Sequence, residues 1–308
     1  MEKISIITPV LNRAGFICDA IESVRAQQTG GLVIEHIVVD GLSTDGTLEQ
    51  LARYPHLKVI TEKDRGVYDA LNKGIRAASG TIIGLLNSDD VFLPGTLECV
   101  VSAFTRDPKT SMVCLSARLA FQQGDGQWSV RQEFPASKFA NLTRPEILAG
   151  GILTNSRFYR PRVLHAAGLF DLGLSLISDR KLLLDVFGTG ERFTAIDHMA
   201  LEYRSHAGSL TFTDDPRALL KGIWEKLSLA EQSLAGPELS RAARRDFVSW
   251  HRKEILQGLI LAAQARDAGA AGRLVLRGFK GSVFWPILAL PDAGRLLRRR
   301  LDRMRAVR

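Results

Sequence analysis

The chain has 308 residues, 45% of them hydrophobic, enough for one sizeable core or a core with a smaller appendage. Its formal charge of +8 is concentrated at one end: residues 294–308 hold seven Arg and one Asp, a charge of +6, so the other 293 residues carry only +2 and give no basis for nucleic-acid binding by the main domain. Three cysteines (Cys18, Cys99, Cys114) without metal-ligand spacing point to a reducing compartment, no signal peptide precedes the first strand, and no apolar run reaches the roughly 18–20 residues of a membrane span.

Residues 4–8 read as a buried strand that Pro9 ends, because proline brings no amide hydrogen to the ladder. Phe16, Ala20, Ile21 and Val24 then recur at helical spacing. A second strand over 34–39 ends at Asp40. The loop Gly41-Leu42-Ser43-Thr44-Asp45-Gly46-Thr47 follows, where small residues let backbone approach a ligand and Ser43 or Thr44 can cap a helix bearing Leu48, Leu51 and Ala52. A third strand covers 57–61, and Leu71, Ile75 and Ala78 mark a helix near 68–78. A fourth strand, 81–86, runs into Asn87-Ser88-Asp89-Asp90.

Two carboxylates at a strand's carboxyl end lie where open α/β sheets bind ligands, and they can hold a divalent cation against phosphates. An Asx-rich turn is the plain alternative. Pro94, Leu97, Val100, Val101 and Phe104 suit a following helix. The alternation through residue 105 predicts a mostly parallel sheet with helices on both faces. There is no G-x-G-x-x-G turn and no Walker A loop, which excludes a nicotinamide dehydrogenase and a P-loop nucleotidase.

A further strand is predicted over 111–121, with a turn at Gly124-Asp125-Gly126. Residues 135–157 are irregular and suit an acceptor-side loop. Leu182, Leu183, Val186 and Phe187 mark a helix that Ser178 can cap, with Asp179 in its first turn, where a carboxylate is also a simple helix-terminus charge. Two short strands over 192–203 lead to Arg204-Ser205-His206-Ala207-Gly208-Ser209, a segment able to contact a diphosphate or complete a metal site, or to form an ordinary polar turn. Long helices follow near 217–235 and 238–267. An apolar patch spans 283–290, ahead of the basic tail. In that tail Leu297, Leu301 and Met304 share a helical face among Arg residues, a pattern that rests on an anionic bilayer; a frayed tail or an oligomer contact is the alternative.

Taken in order, Thr8-Pro9-Val10-Leu11-Asn12-Arg13, Val39 to Thr47, Asp64-Arg65-Gly66-Val67-Tyr68-Asp69-Ala70-Leu71-Asn72-Lys73-Gly74 and Asn87-Ser88-Asp89-Asp90 resemble the motifs of the family 2 glycosyltransferases, which have the GT-A fold. The resemblance is specific over the first 95 residues, weaker to about 211, and fades in the helical C-terminal third. It implies an α/β GT-A catalytic domain over 1–215, with donor and metal binding in 1–110 and the acceptor side and base in 111–215. A helical extension over 216–308 follows.

By position, the resemblance implies that Pro9 and Asp40 line a nucleotide-base pocket and that Arg65 approaches the base or phosphates. Asp89 would face the ribose or the metal's water shell, and Asp90 would be the most direct ligand of Mn²⁺ or Mg²⁺. His206 would act on the diphosphate side, and Asp179 as the general base of an inverting transfer. Where relatives often carry His followed by Gln, this chain has Thr154-Asn155, which puts the acceptor contacts in question. The implied reaction moves a sugar from a nucleotide-diphospho-sugar, UDP foremost, to a saccharide or polyprenyl-linked saccharide in cell-surface polysaccharide synthesis. The implied location is cytoplasmic, peripheral on the inner face of the membrane. A sugar nucleotidyltransferase and an inactive carbohydrate-binding relative are the competing readings.

Overall fold

The computed structural model describes residues 2–27, 31–139, 143–150, 154–206, 215–236 and 239–281. Residues 207–209 of the late polar segment, the apolar patch at 283–290 and the basic tail at 294–308 lie outside the described residues. Two units make up the chain: Met1–Thr143 with Gly151–Ser209, and Arg144–Gly150 with Leu210–Arg308.

The first unit is built on one nine-stranded sheet. Strands β1 (Lys3–Val10), β2 (Val33–Asp40), β3 (Lys58–Thr61) and β4 (Ile82–Leu85) alternate with helices α1 (Ile17–Arg25), α2 (Thr47–Leu51) and α3 (Val67–Ala77). They pair in parallel in the order β3-β2-β1-β4. The order reverses at β1, so the carboxyl ends of β1 and β4 flank the kind of crevice in which such sheets hold ligands. Both faces of this half are covered. Ile4, Ile6 and Ile82 cluster with Phe104 and Phe158; Val10 and Val38 cluster with Ile17, Ile21 and Leu51; Ile37 and Val39 lie against Ala70. Burial on two sides is why these strands read as unbroken apolar runs.

The other half of the sheet is mixed. It contains β5 (Val91–Phe92), α4 (Thr96–Arg106), β6 (Thr110–Gln122), β7 (Trp128–Phe134), β8 (Arg157–Tyr159), α6 (Pro161–Ala166), α7 (Ser178–Gly188) and β9 (Arg192–Ser205), while α5 (Arg144–Ala149) belongs to the second unit. From β4 the sheet continues β8-β6-β9-β5. β8 runs antiparallel to β4 and β6, β9 runs parallel to β6, and β7 forms a hairpin with β6 around the glycine turn.

Several local expectations change. Pro9 does not end β1: it pairs in register with Val39. Its nitrogen falls on the β4 side, where pairing has already stopped at Ile7 and Leu85, so no ladder bond is lost. Neither Ser43 nor Thr44 caps α2. Gly46 stands there at φ 96°, while Ser43 Oγ accepts from the Asn12 amide at 2.8 Å and the Thr44 amide donates to Asn12 Oδ1 at 2.8 Å. Those residues tie two loops together instead. Ser178 does not cap α7 either; it is the first helical residue, and its buried hydroxyl has no hydrogen-bond partner. The two strands expected over 192–203 are one, β9, whose pairing with β6 shifts register around Ser116.

The second unit packs α8 (Pro216–Ala235), α9 (Arg241–Gln264) and α10 (Ala268–Gly281) around Ile223, Leu227, Ile255 and Leu274. Asp215 and Ser240 cap α8 and α9. Gly258 permits a close approach: a Cβ there would meet Ile223 at 2.9 Å and Leu274 at 3.0 Å. The long helix expected to run to 267 stops earlier because Arg266 turns left-handed at φ 53°, and α10 begins two residues on. No described helix is long and apolar enough to cross a membrane.

Candidate active site

The acidic stretch sits in the loop after β4. Asp90 is 1% exposed, and three donors from separate parts of the chain converge on it. Asn87 Nδ2 and Asn155 Nδ2 donate to Oδ2 at 3.0 and 3.2 Å, and the Arg204 amide donates to Oδ1 at 2.9 Å. Burial pushes its pKa well above the usual carboxylate range; the Asp89 charge adds to this, and the three N–H donors pull against it. Asp90 therefore staples its own loop, the turn at 154–156 and the end of β9.

Its neighbour Asp89 is more open, with 18% of its side chain exposed. Its Oδ2 lies 3.1 Å from His206 Nε2. The His206 ring stacks on Phe16, with centroids 4.3 Å apart and planes 23° apart. Two residues back, the Arg204 guanidinium is pinned by Asp19 at 2.7 Å and Glu202 at 3.0 Å, and lies over Trp128. Arg118 closes the network on Glu202 at 2.6 Å. The strand end that carries His206 is thus fixed by its backbone bond to Asp90 and by these side chains.

The sequence expectation gave Asp90 the most direct contact with a metal. In the structure each Asp90 oxygen is engaged by N–H donors, and the open carboxylate is Asp89. Asn87 and Asn155 explain the arrangement: an amide can donate to Asp90, whereas a carboxylate at either place would repel it. Asn155 thus serves the acidic loop from a segment expected to face the acceptor.

Asp179 lies in the first turn of α7, partly buried. The Tyr68 hydroxyl donates to its Oδ1 at 3.3 Å, and the Arg180 amide donates to the same oxygen at 2.8 Å. Burial raises its pKa above the usual carboxylate value, against the pull of Arg180 and Tyr68. Tyr68 is held by stacking on Phe170 at 5.2 Å, and Asn72, one turn along α3, exchanges two hydrogen bonds with the Phe170 backbone at 2.8 and 3.0 Å. Because Tyr68 opens α3 just past β3, this contact brings Asp179 to the carboxyl-end side of the sheet.

The remaining sites differ in availability. Asp40 is fully buried, and its oxygens accept from the Leu42 amide at 3.0 Å and the Ser43 amide at 3.1 Å. Pro9 is buried within β1. The Arg65 side chain is 74% exposed, with Asp69 at 3.8 Å. Sequence reasoning missed Phe16, treated as a core position, and Tyr68 with Asn72. The signal for the latter pair was polar groups four apart on a largely buried helix face.

Among the described residues no three His, Cys, Asp or Glu side chains gather as a ready metal cage. The Asp89–His206 pair does suit a hard divalent ion that takes one or two protein ligands and fills its remaining positions with phosphate and water.

Residues 5–166, more than half of the chain, match the family model described as glycosyl transferase family 2. A PGL/p-HBAD biosynthesis glycosyltransferase of Mycobacterium bovis is 25% identical over 224 residues, covering 71% of this chain and 83% of that one. Escherichia coli chondroitin synthase is 31% identical over 126 residues, which span 40% of this chain and only 18% of that protein's length. Among solved structures, S. aureus TarS (residues 1–349) in complex with UDP-GlcNAc superposes with a TM-score of 0.61 at 16% identity, over 88% of this chain and 90% of that one. The mannosyltransferase PcManGT of Pyrobaculum calidifontis, in complex with GDP-Man and Mn²⁺, gives 0.58 at 18% identity, over 94% and 83%. The chain belongs to glycosyl transferase family 2 and has its GT-A fold: it is an inverting-type glycosyltransferase that moves a sugar from a nucleotide-sugar donor to an acceptor.

Proposed function

We propose that this glycosyltransferase uses a divalent cation held by Asp89 and His206, with Asp179 as its general base, and builds a bacterial cell-surface saccharide. The observation that carries the metal assignment is the 3.1 Å pairing of Asp89 with His206 beside a buried Asp90 that accepts from three N–H donors. A bound Mn²⁺ or Mg²⁺ would neutralise charge on the donor's diphosphate. The transfer itself is one displacement. The acceptor hydroxyl oxygen forms a bond to the anomeric carbon, the bond from that carbon to the diphosphate oxygen breaks, and the hydroxyl proton passes to Asp179. A single in-line attack inverts the anomeric centre. The raised pKa of Asp179 makes it a stronger base than an ordinary carboxylate while leaving it ionisable.

UDP is the first nucleotide to test, and GDP the second, since the fold relatives are complexes with UDP-GlcNAc and GDP-Man. The relatives' names, a chondroitin synthase and a PGL/p-HBAD biosynthesis enzyme, support a saccharide or lipid-linked acceptor. A thermal-shift screen of sugar nucleotides with Mn²⁺ or Mg²⁺, followed by transfer assays, tests the donor. A metal-independent response to every nucleotide would sink the cation assignment.

The +6 tail at 294–308 favours peripheral attachment to an anionic membrane surface. Deleting it should release the chain from anionic vesicles while leaving donor binding intact. Vesicle binding that is unchanged by the deletion removes the tail from that role.

A further inference from the structure

We propose that the second unit carries a bilayer-docking face on α8 and α10, built from Trp224, Arg273, Leu276, Arg277 and Phe279, which seats the protein on an anionic lipid surface. This rests on the peripheral-attachment reading above and gives that attachment a folded surface as well as a tail.

The two sides of α10 are used differently. Ala270 and Leu274 are buried with Leu220, Ile223 and Ile255 in the core of the unit. Steps of three and four residues group Arg273, Leu276, Arg277 and Phe279 on the outer surface of the same helix. Leu276 is 66% exposed, the most of any large apolar side chain among the described residues, and Phe279 is 44% exposed. With Trp224 of α8 and the two arginines they line an open cavity of about 870 Å³. Single exposed apolar residues are ordinary on any protein, whereas a leucine, a phenylalanine and an indole around one cavity form a patch.

Cations border that patch. The guanidinium carbons of Arg273 and Arg277 lie 5.7 and 5.5 Å from the centre of the Trp224 ring. Arg277 is held in place by Glu231 at 2.7 Å and by the Ser228 hydroxyl at 3.2 Å. Such an arrangement suits the boundary between headgroups and acyl chains, where ring and aliphatic carbon leave water and the guanidinium groups stay with the phosphates.

Charge selects the bilayer as the occupant. Residues 268–293 hold Arg273, Arg277, Lys280 and Asp292, a charge of +2, and with the +6 of residues 294–308 they account for the whole formal charge of +8. The 267 residues before α10 therefore sum to zero. α10 itself contains three basic residues and no acidic one, and the chain leaves it for the apolar stretch 283–290 and then the arginine tail. Exposed apolar carbon and all of the excess positive charge thus fall on one end of the chain, matching a surface that is anionic outside and apolar beneath. The tail supplies attraction, and the α8–α10 face supplies the part that enters the interface.

Co-sedimentation of the full chain with vesicles tests this, using equal parts phosphatidylglycerol and phosphatidylcholine, with pure phosphatidylcholine as the control. High salt screens the tail but not the burial of apolar carbon. Wild type should prefer the anionic vesicles and keep part of its binding at high salt. Replacing Leu276→Ser and Phe279→Ser together leaves every charge in place. It should weaken binding at least about tenfold and abolish the salt-resistant part, with the melting temperature unchanged. Should the double variant not fold, Leu276→Ser alone decides, and wild-type binding there overturns the inference. Unchanged vesicle binding by the double variant overturns it, as does a wild type that detaches fully at high salt; the tail reading survives both results. A double variant that binds normally but melts lower shows that the face is covered by the chain itself, and one that converts a lipid-free dimer to a monomer shows that a second copy covers it. Either result overturns the inference. A wild-type chain that binds neither vesicle brings down the peripheral-attachment reading together with it.

Discussion

The loop after β2 and the loop after β4 each place a buried aspartate at the end of a strand, and the two are spent differently. Among the described residues the Asp40 carboxylate accepts only from its own loop, two and three residues on. Asp90 bonds to its own loop at Asn87, to Asn155 and to Arg204, gathering residues more than a hundred positions apart. The first is a local turn device; the second is a staple that makes the end of β9 part of the site. In the second loop the more open acid is the neighbour, Asp89. Burial of Asp90 thus fixes the loop on which Asp89 stands.

The largest expected effect separates staple from ligand. Asp90→Ala leaves three N–H donors short of their partner, at about 1–3 kcal/mol for each that stays buried and unpaired. It should lower the melting temperature substantially and abolish transfer. Asp89→Ala removes a partly exposed side chain, so the fold should stay near wild type while transfer falls about 10²–10³-fold, the usual loss when a group stabilising developing charge is removed. Stabilisation of the protein by Mn²⁺ with UDP should also vanish. Melting curves read with and without the metal distinguish the two variants. An Asp90→Ala chain that melts like wild type yet no longer responds to metal would reverse the assignment.

That contrast also marks how far the sequence could be read. The parallel half was legible because each strand is a short apolar run closed by polar loop residues, and the family motifs fall on those loops. Which member of Asp89-Asp90 points inward was not legible. It depends on Asn155 and the Arg204 amide, and a backbone amide carries no sequence signature. For Asp40 the ambiguity is related: a strand-end acid looks the same in sequence whether it faces a base or its own loop. Asp179 was singled out through its motif, but its partner Tyr68 reaches it only because α3 and the start of α7 meet in space. Pro9 misled because a strand's edge depends on how long its neighbour is.

Asp179→Asn should reduce transfer about 10²–10⁴-fold, the usual contribution of a general base, with donor affinity kept. The fold should not suffer. A carboxyl whose pKa is raised on folding binds its proton more tightly in the folded chain, so its contribution to stability falls as pH rises from the unfolded to the folded pKa. Asn removes that loss, and the variant should melt at or above the wild-type temperature at neutral pH. A markedly lower melting temperature would make Asp179 a structural residue of α7; normal transfer would put the base elsewhere.

The smallest effect isolates the hydrogen bond that tunes this base. The Tyr68 hydroxyl donates to the ionised form of Asp179 and so lowers its pKa, although burial keeps the net shift upward. Tyr68→Phe keeps the ring that stacks on Phe170 and removes only the donor. The Asp179 pKa should then rise further. Since the base must be ionised, the acidic limb of the rate profile should move to higher pH, and the plateau rate should change by no more than about a hundredfold, the scale of a single hydrogen bond to a charged group. A purely structural role for Tyr68 would lower the rate at every pH and leave the limb where it was. A limb displaced to lower pH would mean that Tyr68 does not favour the charged carboxylate, and that something other than this bond sets the basicity of Asp179.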